Sequence, residues 1–134
     1  MSVFRVPGFI LMALLCGCVL MHNANKCPSS WEQTMEVAAA KAKAEDYDFI
    51  MDHLLAPELV ESAVKKYGAD KWRAEYPRKQ LRYLAYYFGW LKKREVRIEG
   101  DKVFLKGEAE CYATFIKVDG RFYILDFGQR IISM

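Results

Sequence analysis

Apolar positions along this chain follow three different rules. Phe9 to Gly17 (FILMALLCG) is an unbroken apolar run. In several segments between Trp31 and Lys93 the apolar residues recur at three- and four-residue spacing, the period of a helix that buries one face. From Glu95 onward they alternate with polar residues, the period of half-buried strands. Trp31, Met35, Ala38, Ala39 and Ala42 predict a first helix behind a Ser29 or Ser30 cap, its small residues allowing close approach to a sheet. Asp46-Tyr47-Asp48 opens a second helix carrying Phe49, Ile50 and Leu54 inward. Pro57 to Tyr67 predicts a third, stopped by Gly68. Pro77 to Lys93 reads as the longest helix, with Pro in its first turn. It carries one stripe of Leu81, Leu84, Phe88 and Leu91, and beside it a second of Tyr83, Tyr87 and Trp90.

Strands are predicted at Glu95–Glu99, Lys102–Lys106, Ala109–Val118 and Arg121–Phe127. Asp119-Gly120 is a strong two-residue hairpin signal. A turn there sets Ile116 against Tyr123, Phe115 against Ile124 and Thr114 against Leu125. Gly100-Asp101 and Gly107-Glu108 predict two more tight turns. Helices first and strands after imply an α+β fold, with the helices packed on one face of a three- to four-stranded antiparallel meander.

The apolar run near the start is too short to span a bilayer even if extended to Met21, since a spanning helix takes roughly 20 residues. A charged Met1–Arg5 followed by such a run has the form of a secretory signal peptide. At its end, Leu15-Cys16-Gly17-Cys18 resembles the lipobox of bacterial lipoprotein signal peptides: aliphatic at minus three, small at minus one, then Cys. The resemblance implies cleavage after Gly17 and a diacylglyceryl group on the Cys18 thiol. Residues 1–17 are then signal, 18–30 a polar tether and 31–134 one domain, held to a membrane through acyl chains in the cell envelope. Ordinary secretion or an uncleaved anchor is the competing reading.

A second resemblance rests on the Ala-rich first helix, the D-Y-D-F-I of the second and the closing F-I-K-V-D-G-R-F-Y-I-L, residues 115–125. Together these look like small exported bacterial proteins of unknown function, whose cone-like α+β fold is similar to that of cystatins and the nuclear-transport-factor superfamily. That superfamily holds enzymes, carriers and scaffolds, so it implies a fold and no particular function.

Composition narrows the classes. At 134 residues there is room for one domain, and 53% hydrophobic residues exclude a disordered chain. A net charge of +3 is too small for a dedicated nucleic-acid binder. With Cys18 acylated, Cys27 and Cys111 remain as a candidate disulfide pair. The alternative is that Cys111 is a core thiol and Cys27 lies exposed. No C-x-x-C or His spacing suits a metal, no glycine-rich phosphate loop occurs, and no cofactor is implied.

Three groups are candidates for chemistry. Asp46, Asp48, Asp52 and His53 bring carboxylates and an imidazole together, with Asp48 and Asp52 on one helical face; the simpler reading is a helix cap and solvated charges. Tyr83, Tyr86, Tyr87 and Trp90 suit stacking on a sugar or flat apolar ligand, or else form core. Arg78, Lys79, Arg82 and Lys92-Lys93-Arg94 give that helix two basic ends, matching anionic headgroups or envelope polymers, or merely its dipole. The reading these support best is a membrane-tethered, non-catalytic binding or accessory domain for a peptide or envelope ligand. The alternative is a small enzyme with a cone-shaped pocket and His53 or Asp52 as acid-base, which requires His53 within a concavity near Tyr87 or Trp90.

Overall fold

The computed structural model describes residues 26–130. The expected signal segment, the lipidation candidate Cys18 and residues 131–134 lie outside them. Helix α1 (Trp31–Lys43) is capped by Ser30, whose hydroxyl accepts from Gln33 N at 3.2 Å. Its buried face is Thr34, Ala38 and Ala42, at the expected four-residue spacing. A short α2 (Tyr47–Phe49), capped by Asp46, passes into a π-turn over Ile50–Leu54 in which Leu55 N–H reaches back to Ile50 O. That turn buries Ile50, Met51 and Leu54 and leaves Asp52 outward. Helix α3 (Pro57–Tyr67) begins on its proline and stops at Gly68, which adopts a φ of 88° open to few residues other than glycine.

Two helical expectations are corrected. Residues 69–79 form a helix, α4 (Ala69–Lys79), which periodicity missed because only Trp72 and Tyr76 mark its inner face and a proline follows directly. Pro77 stands inside the last turn of α4 and does not open a helix. The span expected at 77–93 breaks at Gln80 (φ −120°) into a 3-10 turn, Leu81–Tyr83, and α5 (Leu84–Gly89). Proline supplies no N–H for the next helical bond, so α4 ends within three residues of it.

The sheet is a meander in the order β1 (Glu95–Glu99), β2 (Lys102–Lys106), β3 (Cys111–Val118), β4 (Arg121–Gln129), antiparallel throughout. The fold is therefore α+β, helices first, with a four-stranded sheet after them. α1, α5 and the π-turn cover one sheet face. Beneath them lie Val103, Leu105, Ala113, Phe115, Ile124 and Phe127.

The register follows expectation for Phe115–Ile124 and Ile116–Tyr123, and then departs from it. Thr114 pairs with Asp126, and Leu125 is the extra residue of a β-bulge. Ile124 and Phe127 both reach the core although they are three apart, which strict alternation forbids. The Gly107-Glu108 turn is likewise longer than expected: Glu108–Glu110 form a 3-10 turn with Ala109 and Glu110 at positive φ.

Residues 26–30, expected as tether, are partly built into the domain. Phe122 N–H donates to Pro28 O at 3.0 Å, and Arg121 Nη1 to Cys27 O at 2.8 Å. Cys27 and Cys111 are both buried, so the alternative of an exposed Cys27 fails too. They are not bridged to each other. Cys27 Sγ donates to Phe122 O, while Cys111 pairs across the ladder with Gln129, seven residues further along β4. At about 3.3 Å per residue that separation is roughly 20 Å, far beyond the reach of a disulfide.

Candidate functional site

Helix α5 and the turn before it divide their apolar residues into two stripes. Leu81, Leu84, Phe88 and Leu91 are buried. The adjoining stripe faces outward: Tyr83 is 43% exposed, Tyr86 55% and Trp90 39%. Exposure at this level excludes the core reading for these three rings. Tyr87 is half-buried and anchors the stripe, its ring 6.2 Å from Phe127 on the sheet. The rings continue from one to the next, Tyr83 to Tyr87 at 6.3 Å, Tyr87 to Tyr86 at 5.7 Å and Tyr86 to Trp90 at 6.4 Å. Tilted and edge-on contacts at such distances are favourable between aromatic quadrupoles.

The ladder is fixed at both ends. The Arg82 guanidinium lies 5.1 Å from the centre of the Tyr83 ring, a cation–π contact. At the other end the Trp90 carbonyl accepts from Glu108 N at 3.0 Å, which ties the helix exit to the loop before β3. Gly107 makes this approach possible, for a Cβ there would stand against Trp90 O and within 2.8 Å of Leu91 Cδ2. Lys92 and Lys93 follow on the surface, and α5 carries no acidic residue in its first turn.

No family model, curated protein or solved structure matches this chain.

The acidic group beside His53 is satisfied internally. Asp48 and Asp52 do share a face, and the Arg73 guanidinium of α4 lies between them, Nη1 3.3 Å from Asp48 Oδ1 and Nη2 2.7 Å from Asp52 Oδ1. The Asp52 hydrogen bond, above all, holds Arg73 more firmly protonated. Asp46 caps α2 through Phe49 N and pairs with Lys41 Nζ at 3.6 Å. His53 is half-buried with its ring 4.9 Å from Phe49. Its ring contact is thus with α2, and those of Tyr87 and Trp90 are within the ladder and with Phe127. Among the described residues no three His, Cys, Asp or Glu side chains converge as metal ligands, and no helix is long and apolar enough to cross a membrane.

Two concavities escaped the sequence reading. One, of about 330 Å³, lies on the sheet face away from the helices, between Arg97, Phe104, Lys106, Tyr112 and Arg130. Its residues are the outward positions of the alternating strands, so the pattern held the signal. The other, of about 320 Å³, runs between α3 and α4 along Leu59, Ala63, Tyr67, Trp72 and Tyr76. Trp72 is buried there, and its indole N–H has no acceptor among the described residues.

Proposed function

We propose that this chain is a membrane-tethered, non-catalytic binding module of the cell envelope, and that its ligand is an envelope glycan carrying negative charge. The observation that carries the reading is the outward-facing ladder Tyr83–Tyr86–Trp90. Rings left at 39–55% exposure give up burial that the fold could have supplied, and three along α5 and the turns at its two ends offer consecutive stacking surfaces. A sugar ring has an apolar face to lie on such a surface and hydroxyls to keep its rim wet. Arg82, Lys92 and Lys93 flank the rings and supply the charge that an anionic polymer needs. The tether comes from the lipobox-like Leu15–Cys18 and would keep the module beside its polymer.

Two measurements test this. The intact mass of the full chain purified from bacterial membranes should correspond to a species starting at Cys18 with a diacylglyceryl group; any other start removes the tether. Co-sedimentation of the full chain with purified envelope polysaccharide should fall by about tenfold or more when Tyr83, Tyr86 and Trp90 are all changed to Ser. Retention by the triple variant, or no sedimentation of the wild type, would refute the glycan reading. Sedimentation that is stronger with anionic than with neutral vesicles, and that falls in the triple variant, would redirect it to headgroups, since the acyl anchor alone enters both.

A further inference from the structure

The two edges of the sheet are treated differently. Along β4 the edge is occupied: Phe122 N–H donates to Pro28 O, Phe122 O accepts from Thr34 and Cys27, and Ile124 O accepts from Ala56 N at 2.7 Å beside the Leu55–Ile124 bridge. Along β1 nothing among the described residues pairs with the outer edge, and all five residues of the strand are exposed.

The hairpin turn decides which groups that edge offers. Gly100-Asp101 is a two-residue turn, so Glu99 and Lys102 close it as a hydrogen-bonded pair. Arg97–Phe104 and Glu95–Lys106 are then bonded pairs too. The main-chain N–H and C=O of Val96 and Ile98 consequently point outward, away from β2. Their side chains share the sheet face of Val103 and Leu105, yet lie beyond the cover of the helices, Val96 45% and Ile98 66% exposed. An open edge carrying apolar side chains is a template for another strand.

We infer that the occupant is the β1 strand of a second copy of this chain, paired antiparallel about Val96. Charge selects both the partner and the register. Glu95, Arg97 and Glu99 alternate on the outer face, and a basic bend, Lys92-Lys93, precedes the strand. In a register centred on Arg97, Arg97 would oppose the partner's Arg97, and Glu95 the partner's Glu99, like against like. Shifting the centre to Val96 sets Glu95 against the partner's Arg97, twice by the two-fold axis, and leaves the partner's Glu99 beyond the start of the strand, towards the basic bend at Lys92-Lys93. It also sets Val96 against the partner's Val96, with the outward N–H and C=O of each in position to bond. Ile98 then lies beside the partner's Arg94. A centre on Ile98 keeps Arg97 facing the partner's Glu99 but drives Glu95 against the partner's Asp101. Of the three, only the Val96 register opposes unlike charges on the outer face without also setting like charges together. Arg97 is held in place for this role, its Nε 3.2 Å from Glu99 and its guanidinium 4.4 Å from the Phe104 ring centre. Neither Glu95 nor Lys93 has an ion-pair partner among the described residues. Opposed unlike charges across an antiparallel pair stabilise it, and like charges destabilise it.

The test is charge reversal read by sedimentation equilibrium of the full chain in mild detergent, over a concentration series. The wild type should dimerise. Glu95→Arg and Arg97→Glu should each lower association by about tenfold or more, since each turns two attractive pairs repulsive. An equimolar mixture of the two variants should dimerise again, because position 95 of either copy then meets the opposite charge at position 97 of the other. Circular dichroism of each variant separates lost pairing from lost folding. A monomeric wild type, undiminished single variants, or a mixture that stays monomeric would each overturn the proposal.

Discussion

The Thr34 hydroxyl donates to the carbonyl oxygen of Phe122 at 2.7 Å, joining the buried face of α1 to the edge of β4. Thr34 is fully buried, and Ser30 O lies within reach as well, at 3.1 Å. One hydroxyl proton serves one acceptor at a time, and the shorter contact takes it. Because Cys27 Sγ also donates to Phe122 O, removing the hydroxyl leaves that carbonyl satisfied. We therefore expect Thr34→Val, which keeps the volume, to lower stability by about 1 kcal/mol, the net worth of one neutral hydrogen bond. A urea midpoint shift at unchanged slope would measure it. A neutral substitution would mean that the hydroxyl does not hold helix and strand together.

Alkaline pH should loosen the same corner. Burial pushes the Cys27 thiol up to about 12, against the opposing pull of Thr34 and Arg121. Burial also raises Cys111, and it raises Tyr76, where the Asp126 carboxylate adds to the effect. Each group holds its proton more tightly folded than unfolded, so unfolding releases protons once pH exceeds the ordinary thiol value. Stability from Cys27 should be complete below about pH 8.5 and fall as pH rises toward about 12, by at most ~1.4 kcal/mol per pH unit. Urea titrations at pH 8, 9.5 and 11 would show the decline. Cys27→Ala should flatten it, and an unchanged slope in that variant would remove Cys27 as a cause.

How far the fold was legible depended on whether two neighbouring rules agreed. Asp119-Gly120 was readable because the alternation on both sides and the turn chemistry coincide, and both residues do take positive φ. The bulge at Leu125 was legible in principle: Ile124 and Phe127 are three apart, so a period of two can bury both only if one residue is inserted. Helix α4 was not, since only Trp72 and Tyr76 mark its inner face, one pair defines no period, and Pro77 directly after them reads as a helix start. At the candidate site, spacing separated the leucine stripe from the aromatic one. It gave no ground for deciding which faces water, because Tyr and Trp are at home in either place. The Arg73 clamp on Asp48 and Asp52 joins separate elements, and local spacing carries no information about such a pair.

Trp72 offers a sharper test of packing against polarity. The residue is 6% exposed, with the Tyr76 ring centre 5.6 Å away, yet its indole N–H finds no acceptor among the described residues. A buried donor left unpaired costs about 1–3 kcal/mol. Trp72→Phe removes that cost along with part of the ring's contact area. We expect the two to offset, leaving stability within about 1 kcal/mol of wild type, whereas Trp72→Ala should lose about 3–5 kcal/mol to the cavity. Thermal melts of both variants would check this. Equal losses in the two would show that the N–H has a partner in solution.

Gly107 and Gly89 both adjoin Trp90 at one end of the aromatic ladder and should respond oppositely to the same methyl group. Gly107 has φ −119°, which any residue tolerates, so conformation is not what requires glycine there. Space is. A Cβ would meet the Trp90 carbonyl, Leu91 Cδ2 at 2.8 Å and Leu91 Cα at 3.1 Å, and two of these three are main-chain atoms that no rotamer can move. Gly107→Ala should therefore cost about 1–3 kcal/mol and weaken the Glu108–Trp90 hydrogen bond that fixes the end of the ladder. Gly89, in the last turn of α5, has nothing within 4 Å of where its Cβ would stand. Gly89→Ala should gain about 0.4–1 kcal/mol by restricting the unfolded chain. The contrast, measured as paired urea midpoints, isolates steric room from helix propensity. If Gly107→Ala proved harmless, the approach of the pre-β3 loop to Trp90 would be looser than the structure has it, and the ladder would lose its fixed end.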